Sequence, residues 1–146
     1  MNRADQAREL FLSGYNCAQS VLISFADELK FSRELAQKMA AGFGGGMGKQ
    51  QETCGAVTGA VMVLGLLSGE RASNNDELKS AAYANVKEFF RKFEQEFGST
   101  GCRELTGCDL NTGEGSARFS EEGIMENVCA RCVARAVELV ESIGVG

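Results

Sequence analysis

The run Glu-Thr-Cys-Gly-Ala-Val-Thr-Gly, residues 52–59, decides the fold, because a glycine-rich loop gives way there to a long apolar segment. Residues 53–67 are apolar almost all round, which predicts a buried helix at the centre of the protein. Gly55 and Gly59 lie four residues apart on one face of that helix, so a second helix is expected to pack very close. Cys54 stands at the start of the helix, near the positive end of its dipole, where a thiolate is stabilised.

Apolar residues recur at spacings of three and four along the rest of the chain, and proline is absent. Spacing and capping residues predict further helices over about 2–12, from 16, over 32–41, 76–97 and 122–143, and a short turn at 102–105. Glycine content predicts that the rest of 98–123 is irregular. The loop over 42–48 has five glycines, which permit unusual backbone angles and close approach of another group. The chain is therefore predicted to be all-α, a single-domain helical bundle over residues 1–146.

Composition limits the functions that the chain can have. Its 146 residues carry a formal net charge of −5, and an acidic protein is a poor candidate for binding nucleic acid or anionic membranes. The longest apolar stretch, about residues 55–67, is shorter than the roughly 20 residues that a membrane-spanning helix needs. The first residues are polar and lack an apolar signal region. These features predict a soluble, cytoplasmic protein with no membrane span and no nucleic-acid partner.

Six cysteines and no histidine direct attention to sulfur chemistry. Without histidine the chain has no Ser-His-Asp triad, no Cys-His protease pair and no His-ligated zinc or haem. Structural disulfides are rare in a reducing cytosol, where several cysteines more often indicate metal binding or redox chemistry.

Three of the cysteines stand at predicted helix starts. Cys17 follows the cap residue Asn16, Cys54 follows Thr53, and Cys102 follows a Ser-Thr-Gly run. Each is expected to have its pKa lowered by a helix dipole, and the pKa of Cys102 further by its neighbour Arg103. The alternative is that these cysteines fill space in the core, as buried free cysteines often do.

The remaining cysteines are less informative. Cys129 and Cys132 form a Cys-Ala-Arg-Cys pair within the last predicted helix, and such a pair is either a redox dithiol or half of a metal site. A disulfide between them would strain the helix. Cys108 falls in a predicted loop and is interpreted as a bystander.

Residues 54–59, Cys-Gly-Ala-Val-Thr-Gly, match the CGAxxG signature, and the chain resembles the C_GCAxxG_C_C family of small redox-active proteins. The resemblance covers nearly the whole chain and places that family's four cysteines at Cys17, Cys54, Cys102 and Cys129, in the contexts of residues 14–19, 54–59, 98–105 and 129–136. Cys108 and Cys132 are extra to the pattern. The resemblance implies redox activity and gives no substrate.

The leading hypothesis is reversible dithiol–disulfide exchange at a site where Cys17, Cys54, Cys102 and Cys129 converge. Cys54 is the expected attacking thiol, because Gly55 leaves its approach open, and Cys17 or Cys102 is the expected resolving thiol. The redox partner is unknown, and whether the protein is an enzyme stays open.

Two alternatives remain. The same four thiolates would hold an iron–sulfur cluster or zinc in an electron-transfer protein, with N–H groups of the glycine-rich loop directed at the sulfurs. The chain would otherwise be a non-catalytic helical binding or oligomerisation module with structural cysteines. Its phenylalanine-rich helix, with Phe89, Phe90, Phe93 and Phe97, is most simply core and alternatively includes a homodimer surface.

Overall fold

A computed structural model describes residues 1–144, and the α-helices in that range confirm the all-α prediction. In chain order they are α1 (Arg3–Leu12), α2 (Cys17–Ser24), α3 (Ala26–Leu29), α4 (Arg33–Ala40), α5 (Gly55–Gly69), α6 (Asn75–Phe97), α7 (Cys102–Thr106), α8 (Gly113–Glu121) and α9 (Ala130–Gly144). A 3-10 turn (Ala41–Phe43) follows α4, and a π-turn (Met125–Cys129) leads into α9. The last two residues of the predicted domain, 145 and 146, lie outside the described residues.

Helix α5 is the central helix that the sequence predicted. It packs against α2, α6 and α9, and Val57, Val63 and Leu64 have no exposed surface. The burial is not complete all round, because Leu66 is 45% exposed. The apolar character of α5 is therefore explained mainly by its neighbours and in part by an open apolar groove in which Leu66 lies.

Two glycines let α2 lie unusually close to α5, as the sequence predicted. A Cβ atom on Gly55 would lie 3.0 Å from the backbone nitrogen of Ala18 and 3.0 Å from Cys17 Cβ. A Cβ atom on Gly59 would lie 3.0 Å from the carbonyl oxygen of Ala18 and from Val21 Cβ. Such distances are shorter than ordinary van der Waals contact, so glycine at these positions sets the separation of the two helices.

The other long helices close the core around this pair. Helix α6 buries Phe89 and Phe93, whose ring centroids lie 5.7 Å apart, and α9 buries an apolar stripe that includes Val133 and Val137. Helix α1 packs on α2 and α9. The N-cap of α2 is Asn16, which forms the expected capping box with Gln19. Among the described helices, none has both the length and the apolarity to cross a membrane.

The region 98–123 is more regular than the sequence predicted, and that prediction was wrong for α8. The Thr112 hydroxyl accepts a hydrogen bond from the Gly115 backbone and caps α8, so one good N-cap outweighs the glycines that follow it. The last helix was predicted to begin near residue 122. Its α-helical part begins at Ala130 instead, because the backbone at Met125–Cys129 is wound as a π-turn.

Candidate functional site

A cavity of about 490 Å³ opens where the start of α5 meets the connection between α1 and α2, the glycine-rich loop, α7 and the π-turn. All four cysteines singled out in the sequence line this one cavity, and a fifth joins them; they are Cys17, Cys54, Cys102, Cys129 and Cys132. The six cysteines of the chain are free thiols in the structure. Cys108 does not line the cavity. Widely separated parts of the sequence therefore place five thiols around one space.

Close packing of α2 on α5 brings the first two thiols together. Cys17 is the first residue of α2, and Cys54 is the N-cap of α5. The sequence predicts Cys54 one position later, inside the first helical turn after Thr53. Thr53 instead forms an isolated antiparallel bridge with Gly101.

That bridge fixes the third thiol beside the start of α5. The Cys54 backbone N–H donates to the Thr100 carbonyl at 2.7 Å, and the Cys102 N–H donates to the Glu52 carbonyl at 2.7 Å. These hydrogen bonds tie the start of α7 to the start of α5, so Cys102 cannot move away without breaking them. The predicted turn at 102–105 is confirmed as α7, with Gly101 as its N-cap.

The glycine-rich loop forms one wall of the cavity through Gly45 and Gly46. Residues 45–49 all have left-handed backbone angles, with φ between 58° and 70°, and so form a short left-handed turn. A Cβ atom on Gly46 would lie 2.8 Å from Cys102 Cβ, which confirms the expectation of close approach. The non-glycine residues Met47 and Lys49 share these angles, which cost about 1–2 kcal/mol for each L-residue, so the loop holds strain next to the thiols.

Cys54 is the thiol whose ionised form the site stabilises. Its pKa lies well below the usual value because the Cys132 and Cys17 thiols donate hydrogen bonds to its sulfur, aided by the backbone N–H groups of Ala56 and Val57, and these outweigh the effect of burial. The side chain is 7% exposed. The prediction of a low-pKa Cys54 at a helix start agrees with this arrangement, although the two thiol donors were not foreseen.

The two thiols that donate to Cys54 are held in the neutral form. Hydrogen bonding to Cys54 is the largest cause of the raised pKa of Cys17, followed by burial and by the negative charge of Cys54. The same three effects, in the same order, raise the pKa of Cys132. The prediction that a helix dipole lowers the pKa of Cys17 was therefore wrong, because one thiolate in the cluster disfavours a second.

The pKa of Cys102 was also predicted in the wrong direction. Burial and the nearby Cys54 charge raise the pKa of Cys102 to about 11, against a hydrogen bond from Gln51 that lowers it. Arg103, which was expected to help, is half-exposed and pairs with Asp109 at 3.5 Å. Burial is likewise the first cause that raises the pKa of Cys129 to about 12.

Cys132 lines the cavity, and the sequence did not predict it as a member of the site. It is 1% exposed and lies in the buried stripe of α9, beside Val133 and Ala136. The four-cysteine pattern pointed to Cys129 instead, which is half-buried at the end of the π-turn. The apolar period of α9 was the available signal, since it places Cys132 on the face that packs toward α5.

Gln51 positions the segment that carries Cys102 and was not singled out from the sequence. Its amide Nε2 donates to the Cys108 carbonyl at 2.8 Å and lies 3.9 Å from Cys102 Sγ, and its Oε1 accepts from the Leu110 N–H at 2.8 Å. The side chain is buried, so these hydrogen bonds replace the ones that it would make to water if it were exposed. Cys108 is buried behind this amide, at 1% exposure.

Among the described residues, the side chains in the cavity wall that commonly bind metals are all cysteines. Within residues 1–144, no group of three or more His, Cys, Asp and Glu side chains is arranged so that it could hold a metal ion. The arrangement that the structure does contain is Cys54, whose ionised form is favoured, in one cavity with the neutral thiols Cys17 and Cys132.

Comparison with known proteins supplies a family and one relative. Residues 15–143 match the model of the family described as "Putative redox-active protein (C_GCAxxG_C_C)". A protein of Archaeoglobus fulgidus named "Uncharacterized protein" is 30% identical over 154 residues, which cover 97% of this chain and 95% of that protein. No solved structure matches the chain significantly.

Proposed function

The chain belongs to the C_GCAxxG_C_C family, and from that premise we propose that it reduces disulfides or oxidises thiols by thiol–disulfide exchange, with Cys54 attacking and Cys17 resolving. The observation that carries the proposal is that Cys17 lies against the start of α5 in the same cavity as Cys54, where a Cβ atom on Gly55 would be 3.0 Å from Cys17 Cβ. The pKa of Cys54 is lowered and that of Cys17 is raised. Exchange needs a thiolate and a second thiol within reach of it.

In the reductive direction the Cys54 thiolate attacks one sulfur of a substrate disulfide. A bond forms between Cys54 Sγ and that sulfur, the substrate S–S bond breaks, and the other substrate sulfur leaves as a thiolate. The neutral Cys17 thiol can give its proton to this leaving group. The Cys17 thiolate then attacks Cys54 Sγ, forms the Cys17–Cys54 disulfide and releases the second substrate thiolate, which takes a proton from solvent.

The interaction of Cys17 with Cys54 also determines when the resolving thiol ionises. Hydrogen bonding to the Cys54 thiolate and its charge are two of the three largest causes of the raised pKa of Cys17. Both disappear once Cys54 is held in a mixed disulfide, because its sulfur is then uncharged. We expect the pKa of Cys17 to fall at that stage, so the resolving thiol ionises only after the attacking thiol has reacted.

Disulfide mapping tests the proposal. The reduced protein is oxidised with one equivalent of a small disulfide, the free thiols are alkylated, and peptides are identified by mass spectrometry. We expect a Cys17–Cys54 bond, with Cys102 and Cys129 alkylated. A bond that leaves Cys54 alkylated contradicts the assignment of the attacking thiol, and a Cys54–Cys102 bond contradicts the assignment of the resolving thiol.

Binding of an iron–sulfur cluster or zinc by Cys17, Cys54, Cys102 and Cys129 is the second candidate, favoured by one observation: all four side chains line the same cavity. Against it, no three of the cysteines within residues 1–144 are arranged so that they could hold a metal ion. Metal binding would require thiols with raised pKa values to lose their protons. Metal analysis and a visible spectrum of protein purified without oxygen test it. Bound iron with broad visible absorbance supports a cluster, and a colourless, metal-free protein with one reducible disulfide supports exchange.

A further inference from the structure

We propose that the substrate is a small, uncharged disulfide that enters the cavity whole, rather than a charged low-molecular-weight disulfide or a disulfide on a protein surface. This inference rests on the proposed function, because it names the substrate class for the same site. The features that support it are the absence of charge in the cavity wall, its apolar lining, its volume and the depth of the reacting thiol.

Among residues 1–144, no Asp, Glu, Lys or Arg side chain lines the cavity. Six of its residues form a mainly apolar lining: Phe11, Tyr15, Leu105, Leu110, Phe119 and Val128. A carboxylate in this space would lose water without gaining a partner of opposite charge, which is strongly unfavourable. An ammonium group would find only the Cys54 thiolate, whose charge is lost when that sulfur attacks the disulfide. An anionic substrate would also meet the negative charge of the Cys54 thiolate.

Depth excludes a protein disulfide for a separate reason. Cys54 is 7% exposed and Cys132 is 1% exposed, so the reacting sulfur lies below the molecular surface. A disulfide on a folded partner would have to bring its backbone into a cavity of about 490 Å³. That volume lies in the range of sites that enclose small molecules.

The reaction balances without any group beyond the two named thiols and one solvent proton. The Cys54 thiolate and the Cys17 thiol together supply two electrons. The neutral disulfide RSSR accepts them and, with one proton from solvent, becomes two RSH molecules. The protein is left with the Cys17–Cys54 disulfide, and a neutral dithiol small enough to enter the same cavity would return it to the reduced form.

Three disulfides of similar size but different charge provide the test. They are neutral bis(2-hydroxyethyl) disulfide, dicationic cystamine and dianionic dithiodiglycolate. The reduced full-length protein is mixed with each one, and loss of protein thiols is followed over a single turnover. Each rate is divided by the rate of the same compound with 2-mercaptoethanol, which removes differences in intrinsic reactivity. Insulin, normalised in the same way, serves as the protein disulfide.

We expect the normalised rate with the neutral disulfide to exceed the other three by at least about tenfold. Charged compounds or insulin reacting as fast as the neutral one would overturn the substrate class and leave thiol–disulfide exchange in place. Failure of all four to oxidise the protein, or equal oxidation of Cys54→Ser, would overturn the proposed function and the substrate class together.

A charge added to the cavity wall sharpens the test. Leu12 lines the cavity and is 40% exposed, so Leu12→Lys can carry a charge there without burying it fully. We expect the ratio of dianionic to neutral rates to rise by about threefold or more in this variant. Leu35→Lys is the matched control, because Leu35 is 52% exposed in the separate apolar groove, and its ratio should equal that of the unaltered protein. An unchanged ratio in Leu12→Lys would contradict entry of substrate past this wall.

Discussion

The starts of α5 and α7 look alike in sequence, since each places a cysteine where a helix begins, yet their thiols have opposite properties. Cys54 has a lowered pKa, and Cys102 has a pKa raised to about 11. Both side chains are buried to a similar extent, at 7% and 8% exposure. The difference lies in direct donors: Cys54 receives hydrogen bonds from two thiols and two backbone N–H groups, whereas Cys102 has the Gln51 amide at 3.9 Å.

A helix start is therefore insufficient to produce a reactive thiol in a buried site. Burial raises a thiol pKa, and only donors in contact with the sulfur reverse that effect here. Helix α7 has five residues, so few peptide dipoles are aligned behind Cys102, whereas α5 has fifteen behind Cys54. The comparison predicts that the two cysteines respond very differently to the same substitution.

Replacing each cysteine with serine gives the largest contrast. We expect Cys54→Ser to lower the rate of disulfide reduction by at least about 10³-fold, because the attacking sulfur is lost. Cys102→Ser should lower it by less than about tenfold, since Cys102 borders the cavity without forming the new bond. Single-turnover thiol consumption measures both. Equal losses in the two variants would contradict this distinction between Cys54 and Cys102, and undiminished disulfide reduction by Cys54→Ser would show that another thiol attacks.

Removal of the thiol donors should raise the pKa of Cys54. Hydrogen bonds from Cys132 and then Cys17 are the two largest causes of its lowered pKa. We expect Cys132→Ala and Cys17→Ala each to raise it by about one unit or more, since a hydrogen bond to a charged group contributes about 1.5–3 kcal/mol. The Cys54 pKa is lowered, so its reactivity is lost as pH falls through that pKa, and both variants should move this loss to higher pH. Iodoacetamide alkylation rates against pH measure the shift, with Cys108→Ala as control. No shift in either variant would show that these donors do not act on Cys54.

Separation of α2 from α5 should weaken the fold and the Cys17–Cys54 contact together. A Cβ atom on Gly59 would lie 3.0 Å from Val21 Cβ and the Ala18 carbonyl oxygen, so we expect Gly59→Ala to lower the free energy of unfolding by about 1–3 kcal/mol. Gly65→Ala is the control on the same helix, because nothing lies within 4 Å of its added Cβ; it should stabilise by up to about 1 kcal/mol. Urea unfolding measures both. A neutral Gly59→Ala would argue against the tight helix pair.

Arg103 should have the smallest effect. Its side chain is 55% exposed and pairs with Asp109, and exposed charges are well screened by solvent. We expect Arg103→Ala to change the pKa of Cys102 by less than about 0.3 units. Alkylation of Cys102 against pH measures this, and a rise of one unit would restore the role that the sequence suggested for this arginine.

The central part of the fold was predictable because local and long-range signals agree there. The apolar composition of residues 53–67 predicts a buried helix, and the spacing of Gly55 and Gly59 predicts the close approach of a second helix. Helix α8 was not predicted, because its glycine content indicates irregular backbone and the stabilising cap is the single residue Thr112.

The sequence predicted which cysteines line the cavity better than it predicted the directions of their pKa shifts. All four cysteines of the family pattern line the cavity, while Cys132 was set aside as extra. The pKa directions of Cys17 and Cys102 could not be obtained from helix starts alone. They depend on which thiol ionises first and on what surrounds the others, and both are properties of the packed cluster.

The central claim is that Cys54 is the one thiol of the five whose pKa is lowered, so that it ionises most readily. Alkylation of the reduced, unaltered protein over a range of pH, with each cysteine followed by peptide mass spectrometry, tests it most directly. We expect Cys54 to react first and to keep reacting well below pH 8.5, about the pKa of a free cysteine, while the other four cavity thiols react only above it. Preferential alkylation of Cys102 or Cys129 at neutral pH, with Cys54 unmodified, would contradict the claim.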